Sequence, residues 1–167
     1  MLSIDSQIWI YYYDTTAKEH SNVLKWLDKI LLKEVIILSS IIPIEIAHNL
    51  FSIHEKNKEL NKTQVEEILL SLISLENCQL IDIDQNLIIE VINILKKYRT
   101  IGIGGRDALI IATMERMEIQ TIATHDKNIL SLKKFRRIDP VFDPPLILES
   151  GEVFDYLDFK QKIEQIK

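Results

Sequence analysis

"RDALIIATM", residues Arg106 to Met114, is the stretch on which the fold turns. An acid stands near the start of a strongly apolar helix, and Ile110, Ile111, Met114 and Met117 follow Asp107 at plus three, four, seven and ten. That spacing predicts a helix over Arg106 to Met117 with a buried stripe on the acid's own side. Asp107 is therefore expected to look toward the protein, and a carboxylate held there needs a partner. The run that follows, "TIAT" at Thr121 to Thr124, is short and apolar, as strands inside a parallel sheet are.

Outward from this unit, short apolar runs alternate with longer amphipathic stretches, the pattern of a parallel sheet covered by helices on both faces. The class is α/β. Strands are expected at Leu2 to Ile4, Val35 to Leu38, Gln79 to Ile83 and Thr121 to Thr124, with a fifth around Arg137 to Asp139. Helices are expected at Ser6 to Tyr12, Ser21 to Leu32, Pro43 to Lys56, Thr63 to Glu76, Gln85 to Tyr98 and Arg106 to Met117. Pro43 suits a first helical turn, and Thr63 and Asp84 suit caps. "DPVFDPPLILESGEVF" holds three of the four prolines and breaks the alternation, so it reads as a connection to a C-terminal helix over Gly151 to Ile166. The expected division is a main α/β domain over 1–143 and a C-terminal helical extension over 144–167.

A chain of 167 residues with 47% hydrophobic content suits one well-packed domain. No apolar run approaches a membrane span, and "MLSIDSQIW" has an acid where a signal peptide needs basic residues, so a soluble, cytoplasmic protein is expected. Cys78 is the only cysteine, which excludes an intrachain disulfide and disfavours zinc. The net charge of -5 speaks against coating nucleic acid by charge alone. The basic run Lys133, Lys134, Arg136 and Arg137 is either a solvated face or a local patch for a polyanion.

Sites in open α/β sheets lie outside the carboxyl ends of the strands. Asp5 follows the first strand directly, and Asp126 follows "TIAT" after one residue. Glu45 falls in the first turn of the helix after "VIIL", and Asp107 at the start of the helix leading into "TIAT". Each acid has a bland role at a helix N-terminus, as a cap or a complement to the helix dipole. As a set they are expected to converge, and four clustered carboxylates repel one another unless a cation neutralises them. Oxygen-only ligands suit Mg²⁺ or Mn²⁺ and phosphate-ester hydrolysis. His125 is the least bland of the four histidines. The aromatic residues Trp9, Tyr11, Tyr12 and Tyr13 read as core or interface before base-stacking groups.

"SIDSQIWI", "IPIEIAHNL", "GGRDALIIATM" and "TIATHDKNIL", in this order, resemble the PIN domain, and within it the VapC-type toxins of prokaryotic toxin–antitoxin pairs. The resemblance covers roughly residues 1–140. It implies a PIN-like three-layer fold with a central parallel sheet of four to five strands, and a metal-dependent endoribonuclease. Asp5, Glu45, Asp107 and Asp126 would then be the catalytic, metal-binding acids, with Ser6 and Thr124 beside them. Hydrolysis would leave a 5′-phosphate and a 3′-hydroxyl. An RNA substrate, a cognate VapB-like antitoxin and a homodimer are implied in the same way. The alternatives are an RNA-processing nuclease that is not a toxin, or a non-catalytic partner-binding module of the same fold. A dehalogenase-like phosphatase needs a second Asp where Gln7 stands, and a receiver-like module needs paired acids where Ile4 and Ser6 flank Asp5.

Overall fold

Each of the five apolar runs becomes a strand, and a sixth joins them. A computed structural model describes residues 1–57 and 60–166, so Lys167 of the expected extension lies outside the described residues. The chain runs β1 (Leu2–Ile4), α1 (Ser6–Tyr13), α2 (His20–Leu31), β2 (Ile36–Ser39), α3 (Ile41–Asn57) and α4 (Lys62–Ile73). It continues through β3 (Cys78–Ile81), α5 (Gln85–Tyr98), a 3₁₀ turn (Arg99–Ile101) and α6 (Gly105–Arg116). It closes with β4 (Thr121–Ala123), α7 (Lys127–Leu130), β5 (Arg136–Asp139), β6 (Leu146–Leu148) and α8 (Tyr156–Ile166).

The sheet order is β3-β2-β1-β4-β5-β6. The first five strands pair in parallel, and β6 lies antiparallel to β5. Strands β1 and β2, both interior to the sheet, are buried throughout, which is why "LSI" and "IILS" carry no alternation. Edge strand β3 is only partly covered. The sheet is thus mostly parallel and flanked by helices, with one strand more than the four to five expected.

Three local features differ from expectation for physical reasons. Helix α3 begins at Ile41, two residues before Pro43, a position that tolerates proline because first-turn N–H groups lack an intrahelical acceptor. Asn61, not Thr63, caps α4: its side chain accepts the Gln64 N–H at 2.9 Å while Gln64 accepts the Asn61 N–H at 2.8 Å. Helix α6 is buried on nearly every side, from Ala108 through Met114, rather than along a single stripe. Its apolar run is continuous because the helix is enclosed, and Thr113 satisfies its hydroxyl on the Leu109 carbonyl. Asp84 caps α5 as expected, accepting the Leu87 N–H at 2.7 Å.

The tail is anchored rather than loose. Leu148 of β6 and Phe159 of α8 bury themselves against Leu130 in a small second core. Arg137, fully buried, donates to the carbonyls of Leu130, Glu149 and Glu152 at 2.9–3.0 Å, tying β5 to the turn after β6. Among the described residues no helix is long and apolar enough to cross a membrane.

Candidate active site

The strand order reverses between β1 and β4: β2 and β3 extend the sheet to one side, β4, β5 and β6 to the other. Helices connecting strands on either side of such a point splay apart and leave a crevice at the carboxyl ends. Ile4 pairs with Ala123 there, which sets Asp5 beside Thr124.

Asp5 occupies the N-cap position of α1 but makes no side-chain cap bond. Its carboxylate instead accepts the Thr124 hydroxyl at 2.8 Å and, weakly, the Ser6 hydroxyl at 3.4 Å. Burial pushes its pKa up to about 6; the Thr124 bond opposes this, while Asp107, Asp126 and Glu45 add to it by repulsion. The four expected acids therefore feel one another's charge.

The other three are held by different partners. Glu45 lies two residues deeper in α3 than the first-turn position expected, because the helix starts at Ile41 rather than Pro43. It is buried, and its Oε1 accepts from the Arg106 guanidinium at 2.7 Å. Asp107 is the third residue of α6, and its Oδ2 accepts the Gly104 N–H at 2.9 Å. Its pKa is raised, first by burial; the Gly104 bond and Arg106 pull it down, and Asp126 and Glu45 push it up. Asp126 caps α7, its Oδ1 accepting from Asn128 N–H at 2.6 Å and, more weakly, Ile129 N–H at 3.3 Å. The bland capping role thus holds for Asp126 and in part for Asp107, and fails for Asp5 and Glu45.

Each anchor uses a single oxygen. Among the described residues, Glu45 Oε2, Asp107 Oδ1 and Asp126 Oδ2 accept no protein hydrogen bond. Also among the described residues, no three of Asp, Glu, His or Cys stand close enough together to ligate one ion. The oxygen donor set, its negative charge only partly offset by Arg106, fits a hard divalent cation, but the side chains are not closed into a cage.

Asp139 was not singled out in the sequence, although the strand-end rule reaches it. It ends β5, next to β4, and is fully buried, with His125 Nδ1 2.7 Å from its Oδ2 and the Val141 N–H on its Oδ1. Burial raises its pKa and the His125 contact opposes the rise. The basic run does not reach the crevice. It lies at the opposite, amino end of β5, where Lys134 pairs with Glu115, Arg136 with Glu149, and Arg137 is enclosed. Trp9 is fully buried, stacks on Tyr13 and belongs to the core.

Two cavities adjoin the acids. One of about 460 Å³ is lined by Ile41, Gly104, Arg106, Asp107 and Leu109. The other, of about 340 Å³, reaches Asp126 from the side of α1, α7 and α8.

The PIN domain family model matches residues 2–136. VapC20 of Mycobacterium tuberculosis, a toxin that cleaves the sarcin–ricin loop, is similar in fold with a TM-score of 0.60 at 11% identity, over 78% of this chain and 94% of that one. A toxin–antitoxin complex from Klebsiella pneumoniae gives 0.61 at 16% identity, over 84% and 98%. VapBC2 of Rickettsia felis, bound to a DNA fragment from its promoter, gives 0.59 at 17% identity, over 81% and 96%. At these identities the likeness is one of fold. No curated protein matches the chain in sequence. The order of strands, the crevice between β1 and β4 and the match across most of the chain agree: the chain belongs to the PIN domain family.

Proposed function

We propose that this chain is a metal-dependent endoribonuclease and the toxin of a VapBC-type pair, acting in the cytoplasm. The observation that supports this most is Asp5: a buried carboxylate at the switch point, bonded to Thr124 and Ser6, paired with no cation among the described residues, and repelled by three further acids. Asp5, Glu45, Asp107 and Asp126 are the residues we assign to Mg²⁺ or Mn²⁺. When bound, the metal activates water and offsets charge on the phosphodiester. The chain's own residues orient the site. Thr124 holds Asp5 through its hydroxyl and accepts the Asp126 N–H at 3.0 Å, so one side chain aligns two acids. Arg106, largely exposed beside Glu45, offers a planar guanidinium suited to phosphate oxygens at the rim.

We read residues 1–143 as the nuclease module and 144–167 as an extension carrying β6 and α8. A VapB-like antitoxin is proposed because two of the similar structures are toxin–antitoxin assemblies. The deciding experiment is incubation of an end-labelled RNA pool with purified protein in EDTA, Mg²⁺ or Mn²⁺, beside Asp107→Asn. Cutting that needs metal and disappears in the variant is the expected result. A folded protein that cuts no RNA with any metal, either alone or after removal of a co-purifying partner, defeats the reading.

A further inference from the structure

The cavity that reaches Asp126 is built largely by side chains the nuclease reading does not use. Its walls include Gln7 of α1, His125, Lys127 of α7, and Tyr156, Phe159 and Lys160 of α8. The family match ends at residue 136, so every contribution from α8 lies beyond it. Helix α8 is fixed in place by Phe159, buried against Leu130 and Leu148, with its ring centroid 5.5 Å from that of His125. Tyr156 and Lys160 are four residues apart and so stand on one side of the helix, facing the cavity together. Tyr156 is 48% exposed, and the Lys127 ammonium sits 5.4 Å from its ring centroid. Among the described residues neither Lys127 nor Lys160 has an ion-pair partner.

We infer that α8 and α7 form a nucleotide subsite beside the acids, in which Tyr156 stacks on a base of single-stranded RNA and Lys127 and Lys160 contact its backbone. The inference rests on the nuclease reading and extends it to substrate binding. An aromatic face flanked by two cations without acidic partners is the arrangement that binds single strands with little sequence preference. The cavity's size falls in the range that encloses a small-molecule group. Its position matters most, since it opens against Asp126 while the larger cavity opens against Asp107. A strand crossing the acids would thus find room on both sides of the scissile phosphate. A peptide segment of an antitoxin is the competing occupant, but two cations on an otherwise acidic chain favour the polyanion.

The test uses full-length protein carrying Asp107→Asn, with fluorescently labelled random-sequence single-stranded RNA in Mg²⁺, read by anisotropy across a salt series. Tyr156→Ala is expected to weaken binding about tenfold, and Tyr156→Phe to recover it, because stacking needs the ring and not the hydroxyl. Lys127→Ala and Lys160→Ala are each expected to lower the slope of log affinity against log salt by about 0.7. Thermal melts check that each variant is folded. RNA bound by Tyr156→Ala and by the double lysine variant as well as by the parent overturns the subsite and leaves the nuclease reading standing. If those variants instead lose only a co-expressed antitoxin, the surface belongs to a protein and the subsite is likewise overturned. Wild-type protein that cuts no RNA, together with an Asp107→Asn parent that binds none, overturns both.

Discussion

Asp5 carries a sign that can be worked through. Its folded-state pKa of about 6 lies above the ordinary 3.8, so between these values the native state holds more proton than the unfolded chain. Stability from this group is therefore greatest below pH 4 and falls as pH rises through about 6, by about 3 kcal/mol for a shift of this size. Without metal, Asp5→Asn should remove that loss, so parent and variant melting temperatures diverge as pH is raised from 4 to 7. Parallel curves would show that the carboxylate is not held as described. Asp107→Asn makes the companion case. It should abolish cleavage, melt at or above the parent without metal, and lose the stabilisation that Mn²⁺ gives the parent. Equal metal-induced shifts in the two would remove Asp107 from the metal site.

At the level of elements, Arg137 predicts most. Replacing it with Met removes the guanidinium donor from the buried Leu130 carbonyl and from the partly buried Glu149 and Glu152 carbonyls, at a cost of about 2 kcal/mol on the scale of lost hydrogen bonds to a charged group. β6 and α8 should then become the first segments cut in limited proteolysis; an unchanged digestion pattern would show that the tail is held some other way. This staple was not legible in "KKFRR", where Arg137 looks like its exposed neighbours. Whether a residue in a strand faces inward depends on what pairs beyond it, and β6 is too short and too close to Pro144 and Pro145 to announce itself. Asp5 and Asp126 were legible because parallel strands end on one side of a sheet, so position after a strand is position in space. The Arg106–Glu45 and His125–Asp139 pairs were not, since each joins elements whose contact only the folded sheet decides. Helix α6 was legible as a helix and misread as a stripe, because a continuous apolar run looks the same from one enclosed side as from many.

For the molecule as a whole, Ile88, Ile89 and Ile92 of α5 stand about half exposed on one side of that helix. We propose this face as the seat of the homodimer that the sequence resemblance implies. Ile88→Glu with Ile92→Glu should convert a dimer to a folded monomer in light scattering after size exclusion; an unchanged mass would place the interface elsewhere. The hydrogen bond between Thr124 and Asp5 has a further consequence, since it joins residues 119 positions apart. Folding during synthesis proceeds from the N-terminus. A nascent chain ending before "RDALIIATM" holds only Asp5 and Glu45 and lacks the enclosed helix on which its core depends. The centre therefore closes only once most of the chain has left the ribosome. On the proposed function, a truncated product would be harmless to the RNA of the cell that made it.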